Sequence, residues 1–178
     1  DAVIDGDGNA NEVKLSYGNH QNTVPSKVTT KSYQFDLVKV DGTTNKLLDG
    51  AEFELADGET KLSFVKDTAG NYRVATAGED GATTTITVKN GKVNIYGLAG
   101  KTYTLTETKA PDGYRVSDPI RFAIKRGQAY HVSDSGEPTT PVDGNTVRVE
   151  DKLIKRLAIS VTKRWSDNLD ADRYRTKS

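Results

Sequence analysis

The stretch Tyr33-Gln34-Phe35-Asp36-Leu37-Val38-Lys39-Val40-Asp41 decides how the chain is read. Its alternation has the period of a β-strand with one face turned to a core. Tyr33, Phe35, Leu37 and Lys39 share that face. Phe35 and Leu37 need burial, so Lys39 is carried inward with them. A buried ammonium is costly unless it is paired or neutralised. Two later strands offer carboxyls in the same phase. Tyr103, Leu105 and Glu107 share a face, and so do Val147, Val149 and Asp151. Three ionisable groups thus stand at the inward ends of three apolar stripes, which points to a built constellation. From parity alone the alternative stays open: a lysine that snorkels to solvent or joins a surface ion pair.

The composition narrows the function classes. The chain has 178 residues, with lysine plus arginine equal to aspartate plus glutamate at 25 each. No basic excess points to nucleic acid or to an anionic membrane surface. No apolar run is long enough to span a membrane. Cysteine is absent, which removes disulfides and thiol chemistry. The 16 glycines and many threonines and valines favour strands and turns. The ends at Asp1 and Ser178 suggest a processed or excised piece of a longer chain.

Outward from the Lys39 strand, residues 31–153 read as one all-β domain. Strands are expected over 32–41, 51–56, 61–66, 71–76, 83–89, 92–96, 101–108, 119–125, 128–132 and 145–151. Asn90-Gly91 is the strongest short hairpin signal. A turn is expected at Gly97–Gly100, a break at Pro111–Gly113, and a loop over 134–144. Many short strands with frequent turns indicate a sandwich or a partly open barrel. Residues 1–30 read as the last strand of a preceding domain plus a linker over Gly18–Ser26. Residues 154–178 repeat the opening pattern, with Ile159, Val161, Lys163 and Trp165 on one face. They read as the start of a further domain.

Other chemistries find little support. His20 and His131 lie in different segments, and no Gly-x-Ser-x-Gly or phosphate-binding loop is present. Asp5, Asp7 and Asn9 alternate as in a calcium loop, but the twelfth position from Asp5 is Ser16 rather than glutamate. Asp167, Asp170 and Asp172 read as a solvated loop. No metal and no cofactor is expected.

Two motifs carry a family resemblance. LVKVDGTTNKLLDGAEFEL at 37–55 resembles the opening of a CnaB-type domain, and YTLTETKAPDGY at 103–114 is similar to that family's glutamate-bearing strand and turn. The resemblance implies an inverse immunoglobulin-like sandwich in a pilin or adhesin of a Gram-positive surface, extracellular and cell-wall-anchored. It implies a spontaneous isopeptide bond with Lys39 as the reactive lysine and Glu107 as the catalytic glutamate. The partner is expected in the last strand, at Asp151, with Asn145 as the alternative. An aspartate partner changes the leaving group from ammonia to water. Burial would favour a neutral Lys39 amine and protonated carboxyls, and Glu107 would shuttle the proton. By the same resemblance, Asn11 and Lys163 are bond-forming residues of incomplete flanking domains. The expected partners are neighbouring pilin subunits or domains.

The expected role is therefore a structural stalk module and not an enzyme that turns over. The alternative is a module binding a host extracellular protein or glycan through the loops 57–91 and 125–144, which would require an exposed aromatic or apolar patch there. An enzyme would require an open cleft around Glu107 and Asp151.

Overall fold

The computed structural model describes residues 31–154 and, before them, the backbone of β1 (Asn9–Val13), β2 (Ser16–Tyr17), β3 (Gln21–Asn22) and β4 (Ser26–Thr30). β1 pairs antiparallel with β4, and β2 with β3. The stretch Gly18–Ser26, read above as a linker, thus contains β3 and the first residue of β4. Its short polar strands lack the alternation that marks a half-buried one.

The Lys39 strand is β5 (Tyr33–Asp41). It is followed by β6 (Glu52–Asp57), β7 (Thr60–Lys61), β8 (Phe64–Lys66), β9 (Tyr72–Val74), β10 (Ile86–Thr87) and β11 (Lys92–Leu98). Then come β12 (Thr102–Lys109), β13 (Tyr114–Arg115), β14 (Ile120–Lys125), β15 (Gln128–Val132), β16 (Pro138–Pro141) and β17 (Thr146–Leu153). One sheet has the order β10-β6-β12-β14-β15-β16, with β7 beside β6. The other has the order β13-β17-β5-β11-β9-β8. The inward residues of both sheets form one apolar cluster. Phe35 and Leu37 of β5 join Phe53 and Leu55 of β6, Leu105 of β12 and Phe122 of β14. The Phe35 and Phe122 rings meet edge-on at 4.7 Å between centroids.

The first and last strands of this domain are neighbours. β17 runs parallel to β5, with Val147 opposite Leu37 and Val149 opposite Lys39. Their in-phase burial holds this register, because a one-residue slip would turn Val147, Val149 and Asp151 to solvent.

Four local readings change. The strand expected over 61–66 is two: β7 pairs with β6 in one sheet, and β8 lies at the edge of the other, because Phe64 turns into the core beside Tyr72. Asn90-Gly91 makes a tight turn with φ of 53° and 74°, but not a two-stranded hairpin. β10 pairs with β6 in one sheet, whereas β11 pairs with β5 in the other. The turn chemistry specifies the reversal, while core packing selects the partners. Gly97, expected to end its strand, sits inside β11 at a register shift between Tyr96 and Leu98. The stretch 134–144, read as a loop, carries β16, which pairs with β15 at the sheet edge. Pro138 and Pro141 suit an edge, where a missing N–H costs no ladder bond.

Gly91 also supports the site strand, because its carbonyl accepts the Lys39 N–H at 2.9 Å. A Cβ at Gly91 would stand 2.6 Å from the Leu47 Cβ, at a positive φ. Gly91→Ala is therefore expected to destabilise the domain by about 2–4 kcal/mol, read as a lowered midpoint of chemical unfolding.

Candidate functional site

Three strands bring three ionisable side chains to one point in the core. Lys39 is 0% exposed, Asp151 1% and Glu107 3%. The in-phase placement read from the sequence is what the structure contains, and snorkelling is excluded for Lys39. β5 and β17 supply Lys39 and Asp151 from one sheet. β12 supplies Glu107 from the sheet opposite.

The Lys39 Nζ donates to Asp151 Oδ1 and lies 2.9 Å from Glu107 Oε1. It also lies 5.5 Å from the centroid of the Phe53 ring. Phe53 is the register partner of Glu107 on β6. The other Glu107 oxygen, Oε2, accepts the backbone N–H of Ser117 at 2.6 Å. The contact at Glu107 Oε1 is an ion pair without hydrogen-bond alignment, so Glu107 Oε1 and Asp151 Oδ2 are buried oxygens without a hydrogen-bond donor. Two carboxylates cannot satisfy each other, but one proton shared between them supplies the missing donor. Burial, opposed by Lys39 and reinforced by Glu107, raises the Asp151 carboxyl to about 6. The two unmatched oxygens and the raised Asp151 carboxyl both favour a proton on Asp151 at mildly acid pH.

A second polar group braces the site. Asp41, in register with Asp151, accepts the N–H groups of Thr43 and Thr44 and the Tyr114 hydroxyl, the last at 2.8 Å. These bonds, that of Thr44 foremost, hold the Asp41 carboxyl below its usual range. The Gly42 N–H donates to the Asp151 carbonyl at 2.9 Å, tying the end of β5 to the residue that carries the carboxyl.

Asn145 does not join the trio. Its Oδ1 accepts the Ala129 N–H at 2.7 Å, and its Nδ2 donates to the carbonyls of Gln34 and Gly127. It precedes the Thr146–Asp36 pair, whereas Lys39 pairs with Val149. Four positions separate Asn145 from Val149, so it sits about 13 Å along the strand from Lys39. Its parity matched Asp151, but its side chain pins β17 to β15 and to the start of β5. Asn11 lies in β1, in register with Val28. Lys163 and the carboxylates Asp5, Asp7, Asp167, Asp170 and Asp172 lie outside the described residues. The Ser117 N–H and the Asp41–Tyr114 bond were not anticipated. A backbone donor leaves no trace in residue type, and only the Tyr114 that closes the 103–114 motif hinted at the second.

Residues 33–138 match the SpaA family, described as a prealbumin-like fold domain. The chain belongs to this family. The matched residues include Lys39 and Glu107 and end before β17. No curated protein matches the chain. Among solved structures, a glutamate-to-alanine variant of the shaft pilin SpaA from Lactobacillus rhamnosus GG is similar at 23% identity with a TM-score of 0.50. That alignment covers 79% of this chain and 53% of the pilin, so the chain spans about half the length of that relative. The C-terminal domain of the same pilin aligns at 24% identity and a TM-score of 0.47, covering 68% of this chain and 98% of that domain. The pilus 2b backbone protein of group B streptococcus aligns at 28% identity and a TM-score of 0.41, covering 78% of this chain and 46% of that protein. The fold is all-β and prealbumin-like, in agreement with the immunoglobulin-like sandwich expected from the sequence.

The Asn145 clamp yields a test. Asn145→Ala removes the side-chain partner of three backbone groups in part-buried hydrogen bonds, so a loss of about 1–3 kcal/mol is expected, measured by chemical unfolding.

Proposed function

We propose that this chain is a structural shaft module of a cell-wall-anchored, extracellular pilin or adhesin, self-cross-linked by an amide between Lys39 and Asp151. The observation that carries this reading is the buried trio, which joins the first and last strands of one domain across 112 positions of sequence. Neighbouring pilin subunits or domains are its partners. Residues 1–30 and 154–178 belong to flanking domains, in which Asn11 and Lys163 are bond-forming residues. The chain has no turnover: the reaction happens once, within the domain. An enzyme would need a cleft, and Glu107 and Asp151 are both sealed in the core.

The protons balance. The Lys39 ammonium holds three and the carboxyl pair holds one. A proton moves from Nζ to Glu107, and the amine lone pair attacks Cγ of protonated Asp151. The Nζ–Cγ bond forms and a Cγ–O bond breaks. Glu107 takes a proton from nitrogen and delivers one to the leaving oxygen. The amide keeps one proton, water leaves with two, and Glu107 ends with the fourth. Core packing supplies alignment, worth roughly 7–11 kcal/mol of barrier in well-oriented systems.

The mechanical consequence follows from topology. β5 and β17 are parallel, so tension entering at Tyr33 and leaving at Leu153 pulls them in shear. With the amide in place, the load runs through 33–39, across the bond and out through 151–153. Residues 40–150 are bypassed. Closing a loop of this length removes about 4–5 kcal/mol of unfolded-state entropy, by analogy with disulfides. An amide also resists reduction.

A host-binding role required an apolar patch on the loops 57–91 or 125–144. Among the described residues the exposed large apolar side chains are Leu47, Val116, Leu153 and Ile154, all outside those loops. The shaft reading therefore leads.

The intact chain is expected to weigh one water less than its sequence mass under denaturing conditions. Glu107→Ala should fold yet keep the full mass, and a normal cross-linking rate in that variant would reduce Glu107 to a core hydrogen-bonding group. Lys39→Ala should be digested faster than wild type, and comparison with Glu107→Ala separates loss of the bond from loss of the lysine stem. Equal half-lives for all three would contradict the mechanical role.

The pH dependence has a definite sign. Loss of water needs Asp151 protonated, and its carboxyl titrates near 6. Condensation of freshly synthesised chain should be fastest below that point and fall by a factor on the order of fifty between about pH 6 and 8. A rate that rises over this interval would contradict the role of a protonated Asp151.

A further inference from the structure

We infer that the backbone N–H of Ser117 selects which oxygen of Glu107 carries the proton passed between Lys39 and Asp151. The connection from Lys109 to Asp118 is then a positioning element for bond formation. This rests on the cross-linking reading above.

The two oxygens of Glu107 have different surroundings. Oε2 accepts the Ser117 N–H at 2.6 Å. The carbonyl oxygen of a neutral carboxyl is a much better acceptor than its hydroxyl oxygen, so a proton on Oε2 would weaken this short bond. The bond therefore favours Oε2 as the carbonyl oxygen and Oε1 as the oxygen that carries a proton on Glu107. Oε1 is the oxygen 2.9 Å from the Lys39 Nζ, and it lacks a hydrogen-bond donor. A carboxyl free to rotate would place its proton on either oxygen. Here one backbone bond disfavours the unproductive choice and holds the carboxyl against turning away.

The same connection reads whether the fold is complete. Its Tyr114 hydroxyl bonds Asp41 at the end of β5. Its short strand β13 pairs with the end of β17, Tyr114 opposite Leu153 and Arg115 opposite Lys152. The Ile154 N–H donates to the Gly113 carbonyl at 2.7 Å. The segment that delivers the Ser117 N–H to β12 is thus pinned to both strands that carry the reacting groups. Glu107 is aligned once β17 has docked with Asp151 in place, which ties proton transfer to the completed sandwich. Ser117 is a positioning residue. It touches no reacting atom, and its contribution comes from the backbone.

The test follows condensation of the full 178-residue chain made by cell-free synthesis, quenched at intervals in denaturant and read by intact mass. Ser117→Ala keeps the N–H and should condense at the wild-type rate. Ser117→Pro removes the donor and should condense at least ten-fold more slowly. An amide-to-ester replacement at residue 117 removes the N–H while keeping the side chain and the backbone path, and should show the same slowing. In Lys39→Ala, which cannot condense, the Ser117 amide proton should resonate far downfield and move upfield when Glu107→Ala is added. An ester variant that condenses at the wild-type rate overturns the inference, whatever the proline variant does. So does a Ser117 amide shift indifferent to Glu107. Wild-type chain that stays at full mass overturns the cross-linking reading itself, and is distinguishable because it appears before any variant is made.

Discussion

An ammonium in an apolar core is tolerated only when its charge is matched, and the rest of this structure answers to that requirement. Lys39 enters the core because Phe35 and Leu37 on the same strand face must. Removing one partner from a buried charge pair typically costs about 3–5 kcal/mol, so losing Asp151 or Glu107 weakens the fold once Lys39 is inside. Asp151 fixes β17 beside β5, and Glu107 fixes the opposing sheet. The burial that makes the ions costly also raises the Asp151 carboxyl and strengthens every contact among the three. On the proposed reading, loss of water would convert this trio to one amide and one protonated carboxyl, with no ion left in the core.

That chemistry and the topology support one another. With parallel neighbours at the two ends of the domain, the proposed covalent bond would bypass nearly all of it. A bond between adjacent antiparallel strands of a hairpin would short-circuit only a few residues. The chain contains no cysteine, so a disulfide is not available for the same purpose.

Much of this was legible in the residues, for definite reasons. Alternation in 33–41, 103–107 and 147–151 reported strand and facing together, because side-chain direction has a strict period of two. It therefore placed Lys39, Glu107 and Asp151 inward without knowledge of the pairing. What alternation cannot report is which strand lies beside which. Asn90-Gly91 looked like a hairpin, yet the strands on its two sides belong to different sheets. Asn145 had the same parity as Asp151 and differed only in distance along the strand, which emerges once β17 is registered on β5. The Pro138–Pro141 strand was masked by its prolines, which are tolerated because it lies at an edge. The Ser117 N–H was invisible in principle, since every residue but proline carries one.

The central claim is a covalent bond between two named side chains, and peptide mapping addresses it directly. Trypsin cannot cleave at a Lys39 whose amine has become an amide. If the bond forms, digestion of denatured protein should release a branched species joining Ser32–Lys46 to Val149–Lys152, one water lighter than the two peptides together, with fragmentation placing the link at Lys39 and Asp151. Recovery of free Val149–Lys152 alongside cleavage after Lys39, from folded protein, would contradict the account.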